Sequence, residues 1–129
     1  TKAFLTGILS KTLQVRDGRT TTKNSRLIEE ARKYIDENYA RAGISLNATA
    51  ESVNLSPNHF STIFSQETGK TFIEYLTNLR MNEARRLLRC TDMKMVEIAD
   101  RVGYQDSHYF SYLFRKINNC TPSEYREKR

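Results

Sequence analysis

The chain has 129 residues, a net charge of +6, and 38% apolar and 28% charged side chains. That length suits one domain or two small subdomains and is too short to enclose a large cavity. No uninterrupted apolar run approaches the ~18 residues that a membrane helix needs, so a soluble, cytoplasmic protein with no membrane partner is expected.

Cys90 and Cys120 stand far apart, as do His59 and His108. Neither pair has metal-ligand or disulfide-scaffold spacing, so the expectation is two buried or half-buried thiols, no metal and no cofactor. Residues 1–25 hold five basic side chains and one acidic, residues 26–129 sixteen and fourteen. The balance permits a nucleic-acid partner without requiring one.

In chain order, Phe4, Leu5, Ile8, Leu9 and Leu13 form a helical stripe. A polar run, residues 16–25, follows with Gly18 and three threonines, and reads as a linker. With no Met at Thr1, the chain reads as part of something longer, and residues 1–25 as a helix and linker to a missing upstream domain. The stripe packs on its own or the missing domain, or forms a homodimer seam too short to sustain a coiled coil alone. Leu27, Ile28, Ala31, Ile35 and Tyr39 mark the next amphipathic helix.

The remainder contains one unit twice. Shifted by 50, residues 60–75 meet 110–125 with six identities: Phe60, Ser61, Phe64, Thr71, Glu74 and Tyr75 against Phe110, Ser111, Phe114, Thr121, Glu124 and Tyr125. Shifted by 49, Ala50 meets Ala99 and Val53 meets Val102. Each copy reads as short helix, turn, second helix. In the first, Ser45 caps a helix with Leu46, Ala50 and Val53, Asn54 makes the turn, and Ser56-Pro57 opens a helix over residues 58–68 that Gly69 ends. Phe60, Ile63 and Phe64 are its inward residues.

Thr71-x-x-Glu74 is a capping box opening a long helix to about Arg89, with Phe72, Tyr75, Leu76, Leu79, Ala84, Leu87 and Leu88 in one stripe, a rod of roughly 25–27 Å. In the second copy Val96, Ile98, Ala99 and Val102 form the stripe and Gly103 the turn. Asp106 caps a helix over residues 107–117 that buries Phe110, Leu113, Phe114 and Ile117, and Thr121-x-x-Glu124 opens a last helix. The fold class is therefore all-α: two helix-turn-helix subdomains joined by a long linker helix, about seven helices in residues 26–129 plus the N-terminal helix.

A helix fits the B-DNA major groove, and a helix-turn-helix projects its second helix outward with free polar side chains. Two on a rigid spacer can enter successive major grooves about 34 Å apart. With buried positions removed, the first such helix offers Asn58, Ser61, Thr62 and Ser65, and the second Ser107, His108, Ser111 and Tyr112. These can bond base edges or phosphates, although short polar residues also line any solvated helix. Arg80, Arg85, Arg86, Arg89, Arg101, Arg115 and Lys116 are phosphate candidates.

The stretches 55–69 (LSPNHFSTIFSQETG), 80–88 (RMNEARRLL), 97–104 (EIADRVGY), 109–116 (YFSYLFRK) and 121–126 (TPSEYR) resemble the AraC/XylS-type transcriptional regulators over about residues 26–127. The resemblance implies a DNA-binding domain over 26–129: a first subdomain 26–70, a linker helix 71–89 and a second subdomain 90–129. It implies a bacterial regulator of transcription whose partners are promoter double-stranded DNA and RNA polymerase. By position, Asn58, Ser61, Thr62, Ser107, His108, Ser111 and Tyr112 match the family's base-facing residues, leaving Ser65, Arg80, Arg85, Arg101, Arg115 and Lys116 for phosphates.

Thr62 and Tyr112 stand where the family often carries Arg or Lys, and Asn119 where Gly is common. Thr49 takes a usually aliphatic core position, so a less tightly packed first unit is expected. The segment around residues 13–24 is similar to the linker before this domain in two-component response regulators. The upstream domain is then a receiver or a small-molecule sensor.

An enzyme is disfavoured, since there is no phosphate loop, paired carboxylates or supported nucleophile, and Ser107, His108 and Ser111 lack an orienting third group. The rival is a helical protein–protein adaptor, which would show an exposed apolar groove where this chain repeats polar faces.

Overall fold

Local capping chemistry sets most of the element boundaries. The computed structural model describes residues 18–128, with side chains from Lys23 onward; the apolar stripe of residues 4–13 lies outside the described residues. These fold into seven helices: α1 (Gly18–Asn38), α2 (Leu46–Ser52), α3 (Pro57–Thr68), α4 (Phe72–Cys90), α5 (Met95–Arg101), α6 (Ser107–Asn118) and α7 (Pro122–Glu127).

Ser45 Oγ accepts from the Ala48 amide at 3.0 Å and Ser56 Oγ from the His59 amide at 3.2 Å. Asp106 Oδ1 accepts from His108 and Tyr109 at 2.9 and 3.2 Å. The capping boxes of Thr71 with Glu74 and Thr121 with Glu124 close in both directions. At Lys94 only the reverse half forms, its amide donating to the Glu97 carboxylate at 2.9 Å. Asn54 and Asn119, both at φ 61°, take left-handed turn positions beside Gly69 and Gly103. Each satisfies donors or carbonyls that a helix end leaves unpaired.

Two cores flank α4. Ile28, Ala31, Ile35, Ala50, Val53, Phe60, Ile63, Phe64, Phe72 and Leu76 form the first. Met81, Ala84, Leu87, Leu88, Ile98, Ala99, Val102, Phe110, Phe114 and Cys120 form the second. The pseudo-symmetry extends to detail: Tyr75 lies edge-on to Phe64 at 5.3 Å and Tyr125 edge-on to Phe114 at 5.6 Å. Each tyrosine hydroxyl accepts from an arginine, Arg32 and Arg89 respectively.

Several expectations need correction. Residues 18–25 are not a linker but the first turns of α1. The run contains no proline, so propagation from the packed part of the helix continues through it, and Ser25 Oγ donates to Glu67 of α3 at 2.9 Å. Val96 is 65% exposed. At ~100° per residue it points away from Ile98, Ala99 and Val102, and Met95 takes the core-facing place instead. Ile117 has the right angle but sits in the last turn of α6, 40% exposed, where it lines an open groove with Gly69, Lys70 and Ile73. Cys90 is exposed while Cys120 is buried. Thr49 does not loosen the first unit: it is fully buried with its hydroxyl bonded to the Ser45 carbonyl.

The linker helix also departs from a single stripe. Taking Phe72 as zero, ~100° per residue puts Phe72 and Leu76 near about 20°, and Met81, Ala84, Leu87 and Leu88 near about 130°. The first and second cores therefore meet different sides of α4, and fully buried Met81 belongs to the second.

Candidate nucleic-acid interface

Helices α3 and α6 are the second helices of the two units, each held by a pair of buried phenylalanines. The rings of Phe60 and Phe64 lie tilted to each other with centroids 5.3 Å apart, those of Phe110 and Phe114 5.9 Å apart, all without solvent exposure. Anchoring one face this firmly leaves the opposite face available.

On α3, Asn58, Thr62 and Ser65 are exposed and Ser61 is half-buried. The Thr62 hydroxyl donates back to the Asn58 carbonyl at 3.1 Å, leaving its oxygen as an acceptor. On α6, His108 and Tyr112 are exposed, while Ser107 and Ser111 are half-buried. Tyr112 stands 60% exposed, its ring 6.5 Å from Tyr109 and 5.8 Å from the Lys116 ammonium. The structure thus places the sequence-derived candidates on two equivalent helices.

Tyr109 is a further exposed residue that the sequence reading left out, 50% exposed beside Tyr104 and Tyr112. Its repeat mate His59 is exposed too. The signal was in the repeat: both rings directly precede a buried phenylalanine.

The basic candidates divide sharply. Arg101, Arg115 and Lys116 are exposed. Arg85 is half-buried, donating to Asn118 Oδ1 at 2.7 Å and to Asn82. Arg86 forms a two-pronged pair with Glu83 at 2.8 and 2.7 Å, which holds the Glu83 carboxyl below its ordinary range. Arg89 turns to Tyr125. Arg80 is not a phosphate contact: it is 8% exposed, and its guanidinium donates to the Tyr39 carbonyl at 2.7 Å and the Arg41 carbonyl at 3.2 Å. A side chain that long reaches inward as readily as outward, and the backbone carbonyls of the turn just after α1 draw it in.

Among the described residues no group of three or more His, Cys, Asp or Glu side chains is placed to hold a metal ion. Nor, among those residues, is any helix long and apolar enough to cross a membrane. The arrangement offers hydrogen-bonding side chains on two projecting helices with cations beside the second.

A family model described as a helix-turn-helix domain matches residues 49–128. The chain is 39% identical over 109 residues to the HTH-type transcriptional regulator YijO of Escherichia coli, covering 84% of this chain and 38% of that protein. It therefore spans well under half the length of that curated relative. Among solved structures, the C-terminal domain of AraT, a response regulator from Geobacillus stearothermophilus, superposes with a TM-score of 0.78 at 40% identity, over 80% of this chain and 85% of that one. The C-terminal domain of the two-component response regulator yesN from Fusobacterium nucleatum superposes with a TM-score of 0.75 at 36% identity, over 76% and 95%.

Proposed function

The chain belongs to the AraC/XylS-type helix-turn-helix family as a DNA-binding transcription-regulator domain, and from that premise we propose that α3 and α6 read successive major grooves of promoter DNA. The observation that carries this reading is the equivalence of the two exposed faces. Asn58, Ser61 and Thr62 on α3 occupy the repeat positions of His108, Ser111 and Tyr112 on α6. Ser107 joins them at the start of α6. Ser65, Arg101, Arg115 and Lys116 contact phosphates, with Arg85 at the edge of that set.

The domain is the output part of a longer response regulator, a reading supported by the two solved domains and the partial coverage of YijO. That longer protein works in the cytoplasm at the nucleoid, engages RNA polymerase, and pairs as a homodimer through segments upstream.

Selection from a random duplex library, then titration at several salt concentrations, tests the reading. A bipartite site with half-sites about one helical turn apart is expected. Asn58→Ala should relax preference in one half and His108→Ala in the other. Failure to enrich any duplex, with weak binding even at low salt, would sink it. For the full-length protein, tighter binding after phosphorylation of the upstream domain is expected; a response to a small molecule instead would overturn the response-regulator placement.

A further inference from the structure

The Arg80 guanidinium touches both helix-turn-helix units at once. Nε and Nη2 donate to the Tyr39 and Arg41 carbonyls, at the end of α1 in the first unit. Its Cζ lies 4.8 Å from the centroid of the Tyr104 ring, in the turn of the second unit. Gly103, next to that ring, has φ +110°, and a Cβ there would stand 2.9 Å from the guanidinium. The Tyr104 ring in turn packs 5.9 Å from both Tyr109 and Phe110 of α6. A contact chain runs from the end of α1 through one side chain to the second reading helix.

Helical geometry explains why this residue holds that place. On the scale used above Arg80 falls at about 80°, between the side of α4 that meets the first core and the side that meets the second. The repeat also contains a comparison. In the second unit Arg126 Nε donates to Leu88 O at 3.1 Å and Nη2 to Thr91 O at 3.0 Å, at the end of α4. Arg126 thus does for α4 what Arg80 does for α1, but the contact across to the other unit belongs to Arg80. Closing a helix end does not by itself account for the stack on Tyr104.

We propose that Arg80 is a positioning residue that sets the angle and separation of α3 and α6, so that the protein measures the distance between its two half-sites. This rests on the two-groove reading above. The two units share α4, so the angle between them depends on how each packs against that helix and on contacts that cross from one unit to the other. A planar guanidinium is suited to the task, because it bonds two carbonyls in its plane while presenting a face to an aromatic ring. Shifting one half-site by a base pair moves it by ~3.4 Å along the axis and rotates it by roughly a tenth of a turn. A coupled pair of readers resists that displacement and an uncoupled pair absorbs it.

The test measures affinity for the selected bipartite duplex, for duplexes with spacing changed by one and two base pairs, and for single half-sites. Wild-type protein should lose about tenfold for one base pair. Arg80→Met and Tyr104→Leu should cut that penalty to threefold or less, at roughly wild-type half-site affinity. Arg126→Met removes the matching helix-end bonds and should keep the wild-type penalty. Tyr104→Leu leaves both carbonyl bonds of Arg80 in place, so it decides alone if circular dichroism shows Arg80→Met unfolded. An undiminished penalty in Tyr104→Leu, or equal losses on half-sites and bipartite duplex, overturns the positioning role while leaving the two-groove reading intact. A wild-type protein that binds one half-site with no spacing penalty overturns both.

Discussion

Thr49 donates its hydroxyl to the Ser45 carbonyl at 2.8 Å, and its amide donates to the same oxygen at 3.0 Å. The side chain has no solvent exposure. The hydroxyl is satisfied by the turn below it, and the carbonyl keeps a partner without it. Thr49→Val should therefore change stability by no more than about 1 kcal/mol. Thr49→Ile adds a methylene to a filled site and should cost about 1–3 kcal/mol. Urea unfolding of the two variants separates them; a large loss for valine would mean the hydroxyl does more than satisfy itself.

Gly69 and Gly103 both have positive φ, yet their surroundings differ. Gly69, at φ +75°, has open space where a Cβ would go, whereas at Gly103, with φ +110°, it meets the Arg80 guanidinium at 2.9 Å. Gly69→Ala should cost about 1–2 kcal/mol from the left-handed backbone alone. Gly103→Ala should cost more, about 3 kcal/mol, because strain in a less favoured region adds to displacement of a buried arginine. Equal midpoints in denaturant would show that Arg80 moves aside freely.

Residues 42–69 contain no Lys or Arg, whereas α6 carries exposed Arg115 and Lys116; on the proposed reading α3 would meet DNA through neutral side chains. The second unit should therefore supply more of the salt dependence. Arg115→Ala and Lys116→Ala should each lower the slope of log affinity against log salt by about one. Asn58→Ala should weaken sequence preference in its half-site with the slope unchanged. A slope insensitive to both cations would move the phosphate contacts elsewhere.

The Thr121 amide donates to Glu124 Oε1 at 2.8 Å and holds that carboxyl below its ordinary value of 4.5. The unfolded chain therefore takes up this proton first as acid is added. Stability from the box is fully present above the unfolded value and is lost as pH falls through the lower folded one. Glu83, lowered by its bond to Arg86, acts in the same direction. Glu124→Gln keeps an acceptor but no titration, so its melting temperature should fall less steeply than that of wild type between about pH 5 and about pH 3. Parallel acid profiles would assign the acid sensitivity to other carboxylates.

The helix boundaries were legible in the residues because the forces that set them are local. Ser45, Ser56, Thr71, Asp106 and Thr121 each bond amides two or three positions away, and Asn54 and Gly103 turn the chain by their own backbone preferences. The doubled unit was legible too, since Phe60 and Phe110 recur with their neighbours, and with it the candidate faces of α3 and α6. What tertiary structure alone decided was which side of each helix meets a neighbour. Periodicity on α4 suggests an apolar stripe but does not show that two cores approach from directions about 110° apart, bringing Met81 inside. It likewise allows Val96 to face the core, where α5 instead turns Met95 inward. Arg80 reads in one dimension as a surface cation; its destination was set by carbonyls some forty positions upstream and a ring beyond the end of its own helix. Capping depends on neighbours in sequence, whereas burial of a long side chain depends on neighbours in space.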